Sequence, residues 1–536
     1  MLGNRKAQHS FAQIPDVKMA RSSFDRSFAV KDAFDFDYLI PIFVDEVIPG
    51  DTFNVTLHSF ARLATQVVPV MDNMYMDYFF FFVPNRLVYD KWERLCGAQI
   101  PDPDSTTDFI MPKMTAPAST GFTVGSLFDK LGLPTGAASC VVNNTLPIRC
   151  YNKIWTDWFK DQWLQDGVVL DIDEGPDSPG DYSLLKRGKR HDYFTSCLPE
   201  PQKGPAVTIP LSGGSAPVKG LGINTHVFPT ALVGGYDSAG DTVSYTAARL
   251  ADSSTNNILY VEENTANTGY PNVRVDLTDI TASTVNQLRQ SIMMQSLFEL
   301  DARGGTRYVE ILRSHYGVIS PDFRLQRSEY LGGGSTTINT HPVAQSSPTS
   351  GSNAQGQLAS FATAMTTGRE NIGFTKSFVE HGYVLGLACA RADITYQQGM
   401  NRMWNRSTRY DFFWPKLQEL GEQEVLNKEI YTQGPGPGVD DDVFGYQERY
   451  AEYRYKPSEI HGILRSTAAS SVDQWHLAEE FQSLPELNAA FIVQNTPIER
   501  AIAIDTEPDL IFDAFFKFKA ARPMMTYSVP ATLGRF

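Results

Sequence analysis

A histidine flanked by carboxylates is the arrangement of a general acid–base site, and His381 with Glu380 and Asp393 can be drawn as one. These residue types are common, however, and His381 immediately precedes an apolar run that reads as a buried strand. A hydrogen-bonded structural histidine is the stronger reading, and His461 and His476 are read the same way. The run Asp440, Asp441 and Asp442 has the donor type that a divalent cation takes, against a solvated acidic loop as the stronger reading. Five cysteines (Cys96, Cys140, Cys150, Cys197 and Cys389) form an odd set without a CxxC pair. Neither a disulfide framework nor a zinc site is expected of them, and scattered reduced thiols are. Gly434 to Gly438 alternates glycine with proline, and the prolines lack the N–H groups that a phosphate-binding loop supplies. No GxxxxGK[ST], HExxH or GxSxG pattern occurs. No catalytic, cofactor-binding or metal residue is assigned.

Charge narrows the partners. The chain has 536 residues, with 46 Lys and Arg against 61 Asp and Glu, a net charge of −15. Affinity for phosphate comes from clustered cations, so contact with nucleic acid must come from local basic segments. One is the first 30 residues, where Arg5, Lys6, Lys18, Arg21 and Arg26 face Asp16 and Asp25. No apolar h-region follows Met1, so no classical export signal is expected. The most apolar run, Tyr78 to Val83, is far short of the roughly 20 residues a membrane span needs.

The elements that hold these residues read as mainly β. Phe53, Val55 and Leu57 alternate with polar residues, as in a half-buried strand. Tyr78 to Val83 suits a strand buried on both faces and ended by Pro84, and Tyr383 to Ala388 reads as another buried strand. Phe512, Ala514, Phe516 and Phe518 alternate with Asp513, Phe515, Lys517 and Lys519, which predicts one apolar and one partly basic face. Short helices are predicted through Val88–Cys96, stopped by Gly97, and through Tyr151–Phe159; a longer one starts at Val285 and is broken at Gly304. Trp155, Trp158 and Trp163 crowd the second helix, for core packing or, alternatively, for stacking on nucleic-acid bases. Residues 200–284, rich in Gly, Pro, Ser, Thr and Asn, read as an inserted, solvent-facing subdomain. Gly332 to Gln357 reads as a long mobile loop.

Several ordered segments resemble the major capsid protein of microviruses, most closely the gokushovirus branch of these single-stranded DNA bacteriophages. They are Asp77 to Val88 running into Trp92-Glu93, Glu380 to Leu387 continuing through Arg391 to Gly399 and Arg402-Met403-Trp404, and Phe444 to Arg454. Trp475 to Ala478 and Arg522-Pro523-Met524 add shorter matches. The resemblance implies an eight-stranded antiparallel jelly roll with long helical and loop insertions: an extended arm over 1–40, the first part of the roll over 41–199, a surface protrusion over 200–284, and the second part over 285–536. It implies self-assembly into a T=1 icosahedral shell around a circular single-stranded DNA genome. The protrusion would be a host-attachment surface facing a host-cell receptor. Further implied partners are an internal scaffolding protein, a DNA pilot or minor capsid protein, and a small basic DNA-binding protein. In such a shell Arg5, Lys6, Lys18, Arg21 and Arg26, or the Lys517/Lys519 face, would meet the packaged DNA, unless they pair with neighbouring carboxylates. Trp404, Phe412, Phe413 and Trp414 would lie at subunit interfaces, with core packing as the competing reading. The rival function from composition alone is a β-sandwich carbohydrate-binding protein or glycosidase; a DNA-processing enzyme would need a metal carboxylate cluster and more basic charge.

Overall fold

Alternating apolar residues build a sandwich of antiparallel sheet. The computed structural model describes residues 20–97, 109–205, 207, 285–304, 308–317, 326–342, 361–366, 372–436, 438–504 and 506–527, with short strands between 218 and 275. Two compact units are present, residues 1–201 with 320–536, and residues 202–319.

The larger unit carries ten strands of one sheet path: β1 (Ser22–Asp25), β2 (Phe28–Phe34), β3 (Ile40–Val47), β4 (Thr52–Leu63), β5 (Met74–Pro84), β6 (Glu329–Pro342), β7 (Phe361–Thr366), β8 (Ile372–Ser377), β9 (Gly382–Ala392) and β10 (Leu510–Arg522). In the first layer β10 lies between β4 on one side and β1 and β2 on the other, while β7 and β8 share the far edge of β4. In the second layer β9 pairs with both β3 and β5, and β5 pairs with β6. The tip of β6, from Asn339 onward, pairs with β7 and so carries the sheet from one layer to the other.

Period-two burial makes the layers stick. Phe53, Val55 and Leu57 of β4 and Phe512, Phe516 and Phe518 of β10 point inward, against Met76, Tyr78, Phe80 and Phe82 of β5 and Val384 and Ala388 of β9. Aromatic rings meet across the gap: Phe43 lies 5.2 Å from Phe516 and 5.5 Å from Phe518, and Phe80 lies 5.4 Å from Phe374. The second layer is buried on both faces, as the aromatic run implied. Its outer side, with Phe81, Val83, Leu385 and Leu387, packs on a second core built from the helix Leu146–Ile154 and the turns around it. That helix continues as a wider turn over Trp155–Phe159. Trp155 is buried there, while Trp158 and Trp163 are partly exposed. The helix over Trp92–Leu95 is a single turn closed by Gly97 at φ 92°. In the smaller unit a helix spans Val285–Arg303.

One expectation fails. Gly332 to Pro342 is strand, not loop, and 343–357 lies outside the described residues. Composition misleads here because the glycines answer a steric demand. A Cβ at Gly333 would sit 2.1 Å from the Tyr78 carbonyl oxygen, and one at Gly332 would sit 2.6 Å from the Gly373 carbonyl oxygen.

Asp509 fastens the start of β10. Its Oδ2 accepts the Phe36 N–H at 3.0 Å and its carbonyl accepts the Ala64 N–H at 2.7 Å. Burial, with Asp35 nearby, pushes its carboxyl up to about 6. The folded state thus holds the Asp509 proton more tightly than the unfolded chain does, so this group stabilises most below about pH 4, and that contribution is lost as pH rises through about 6. Asp509→Asn keeps the acceptor and removes the titration. Calorimetry should find the variant gaining on the parent between about pH 4 and pH 6, with no further gain above that. Phe516→Ala should cost about 3–5 kcal/mol in denaturant unfolding, while Ile511→Thr, on the exposed side of β10, should change stability by less than about 0.5 kcal/mol.

Candidate assembly surface

Residues 396–399 act as a bracket. The Gln398 amide accepts the Phe481 N–H and donates to the Phe481 carbonyl, each at 2.8 Å. Gln397 does the same to Ser466 and Glu479, and the Tyr396 hydroxyl donates to Asp192 at 2.7 Å. A Cβ on Gly399 would stand 2.0 Å from the Glu429 carbonyl oxygen, so glycine alone fits. Beneath lies a third core of Tyr193, Phe194, Tyr396, Val425, Phe444 and Phe491.

The chain leaves this bracket into an arginine and aromatic surface. Glu429 is buried; it accepts from the Tyr193 hydroxyl at 2.9 Å, from Arg402 at 2.7 Å and from the Leu426 N–H at 3.0 Å. Burial raises its pKa, and the Arg402 charge opposes that. Arg406 pairs with Glu452 at 3.3 Å, and its guanidinium lies 4.2 Å from the Tyr453 ring centre and 5.6 Å from that of Phe412. Arg409 lies over Tyr410 and Trp414. Tyr450 is buried in the left-handed region at φ 62°, and its hydroxyl donates to the Phe412 carbonyl at 3.1 Å. Around a cleft of about 890 Å³ lined by Met403, Trp404, Arg406, Tyr453 and Tyr455, large apolar groups face solvent.

Trp404 is 72% exposed, Phe412 52%, Phe413 46% and Trp414 44%. They are not core residues. Arginine over aromatic rings is the composition of association surfaces, and four large rings left this exposed within eleven residues of chain are unusual for a surface that meets only solvent.

The family model described as "Capsid protein (F protein)" matches residues 12–532. The chain belongs to that bacteriophage capsid protein family. Capsid protein VP1 of Bdellovibrio phage phiMH2K is 53% identical over 545 residues, covering all of both chains. Capsid protein VP1 of Chlamydia phage 1 is 41% identical, covering 98% of this chain and 97% of its own. That of Spiroplasma virus 4 is 34% identical, covering 97% of each. This capsid protein therefore has a structural role, is a component of the virion and assembles with copies of itself. No helix among the described residues is long and apolar enough to cross a membrane.

The drawn acid–base cluster does not come together. Glu380 accepts from Arg86 at 2.8 Å and the His381 ring packs on Trp92, whereas Asp393 lies beyond the other end of β9, paired with Arg391 at 3.1 Å. His476 is a buried structural histidine that accepts the Ala478 N–H. Asp440 caps the Gln433 and Gly434 N–H groups, and Asp441 pairs with Lys428. Burial pushes the thiols of Cys150, Cys197 and Cys389 up.

Of the basic positions, Arg5, Lys6 and Lys18 lie outside the described residues. Arg21 is exposed beside Thr52, and Arg26 is ion-paired with Asp45 and stacked on Phe518. Lys517 and Lys519 are exposed on β10, near Asp25. A further basic run, Lys186 to His191, is legible in the sequence by its charge density. Arg187 pairs with Asp77 and Lys189 with Glu479, which leaves Arg190 and His191 exposed.

Arg402→Ala strands the buried Glu429 and should cost on the order of 2–3 kcal/mol. Faster tryptic cleavage at Arg406, Arg409 and Lys416 should accompany it, read by limited proteolysis and mass spectrometry.

Proposed function

We propose that this capsid protein closes a T=1 icosahedral shell around a circular single-stranded DNA genome, and that Trp404, Phe412, Phe413 and Trp414 lie at contacts between copies. The observation that carries the interface reading is their exposure together, held by Arg406, Arg409 and Tyr450. A closed shell needs surface patches that complement other patches of the same chain, and bulky rings bury much area per residue.

The sandwich is read as an eight-stranded jelly roll. In support, β1 with β2 and β7 with β8 each occupy one row, so ten strands make eight rows ordered β1/β2, β10, β4, β7/β8 in one layer and β6, β5, β9, β3 in the other. Within the chain we assign 1–40 as an arm that lends β1 and β2 to the edge of the roll, 41–199 and 285–536 as the two parts of the roll with their insertions (the helix Val285–Arg303 belonging to the smaller unit), and 200–284 as a surface protrusion for host attachment. Its polar, turn-rich composition suits recognition loops. A charge of −15 per copy cannot neutralise a genome, which favours a small basic DNA-binding protein as companion. An internal scaffolding protein, a DNA pilot protein and a host-cell receptor complete the partners.

Negative-stain electron microscopy beside size-exclusion chromatography should show uniform closed particles. Trp404→Ser with Phe412→Ser should melt within a few degrees of the parent yet leave subunits unassembled; normal particle yield from this variant would sink the interface assignment. Particles lacking 200–284 should form but adsorb poorly to host cells, and unchanged adsorption would count against the protrusion's role.

A further inference from the structure

The two layers of the sandwich are finished differently. The outer side of the second layer is covered by a second core. The outer side of the first layer, among the described residues, stays open. Its inward set on β4 is Phe53, Val55, Leu57, Ser59, Ala61 and Leu63, so the next phase (Asn54, Thr56, His58, Phe60, Arg62) points away from the core. On β10 the outward set is Ile511, Asp513, Phe515, Lys517 and Lys519. Phe60 is 51% exposed, Phe515 46% and Ile511 67%. Polar residues would cost nothing at these positions; rings there serve something outside the fold.

Register places the rings together. Phe515 is opposite His58, and Phe60 is opposite Asp513, so the two phenylalanines are diagonal neighbours on paired strands. Such neighbours stand roughly 7–8 Å apart at Cα, a spacing that gives each ring a separate base. Cations frame them. Lys517 and Lys519 continue β10 past Phe515, Arg62 lies opposite Ile511, and Lys31 sits on β2 across from Asp513. Against these four cations stand two carboxylates, Asp513, which is 3.8 Å from Lys31, and Asp25. In a chain of net charge −15 this is a local excess of positive charge.

We infer that the open face of β2, β10 and β4 is a platform for single-stranded nucleic acid, with Phe60 and Phe515 each stacking one base and Lys517, Lys519 and Arg62 holding the flanking phosphates. The inference rests on the genome-enclosing shell proposed above and specifies which surface meets the strand. An open antiparallel sheet bearing aromatics on adjacent strands is one of the recurrent ways a protein holds unpaired bases. Stacking is indifferent to sequence because every base has a π face, which suits a repeated subunit that meets different stretches of one genome. A duplex hides those faces, so the platform selects single strands.

The test uses the purified full-length, unassembled chain and a fluorescein-labelled oligothymidylate, read by fluorescence anisotropy over a salt series. Stacking contributes about 1–3 kcal/mol per base, so Phe60→Ala with Phe515→Ala should weaken binding by at least about tenfold at unchanged thermal stability. Phe60→Leu with Phe515→Leu, which keeps apolar bulk and loses the π face, should do the same, and it decides the matter if the alanine pair misfolds. Lys517→Gln and Lys519→Gln should each flatten the salt dependence by roughly 0.7 in log–log slope. Parent-like binding by the leucine pair, or equal parent affinity for a duplex of the same length, overturns the platform. Electron microscopy of the same proteins separates the two readings. Closed particles with binding untouched by the ring substitutions would sink the platform alone; absent parental particles would strike the shell, while the anisotropy still decides the platform.

Discussion

Phe43 on β3 touches Phe80 from β5 and Phe516 and Phe518 from β10. That four-ring contact joins the two layers at residues drawn from distant parts of the chain, and the other surfaces are built outward from it. β10 reaches it by pairing with β4 from Leu510 to Ala521 on one side and with β1 and β2 on the other. The same pairing fixes which side chains face out. A slip of one residue would turn Lys517 and Lys519 inward and Phe516 and Phe518 to solvent. The apolar contact therefore sets the polar surface.

What was legible in the sequence was whatever repeats locally. Period two in β10 showed its inner and outer sides correctly, and the aromatic run of β5 showed a strand buried on both faces. Resemblance supplied the family. Long-range geometry was not legible. The glycines at 332–334 look like a loop, because nothing local announces that the carbonyls of Tyr78 and Gly373 lie against them. For Phe60 the signal is the same alternation, continued two residues past His58, which puts a large ring on the side of β4 away from the core. Arg26 takes the second of the two roles that the sequence leaves open, pairing with the Asp45 carboxylate, which only the folded chain brings beside it.

Partner choice also explains why basic residues poorly reveal function in this chain. Arg149 is buried and bonded to Asp177 through its Nε at 2.8 Å, and Arg391 reaches Asp77 at 2.7 Å. Once one partner of such a pair is buried the other is obligatory. Many cations are thus committed to holding loops, which concentrates meaning in those left facing solvent on β10 and around Trp404. The motif Tyr396 to Gly399 follows the same logic. It reads as a family signature and works as a clamp on Asp192, Ser466, Glu479 and Phe481.

The position of β10 in the chain has a consequence for synthesis. Phe28 of β2 finds Phe516 as its neighbour, almost the whole chain later. At about 5–20 residues per second a ribosome needs roughly half a minute to two minutes to cover that distance. Throughout that time β4 has an unpaired edge and the inward rings of β4 and β5 lack half their cover. Such topologies fold slowly and are exposed to aggregation until the late strand pairs. The sandwich can be completed only after β10, made last of its ten strands, has reached β2 and β4.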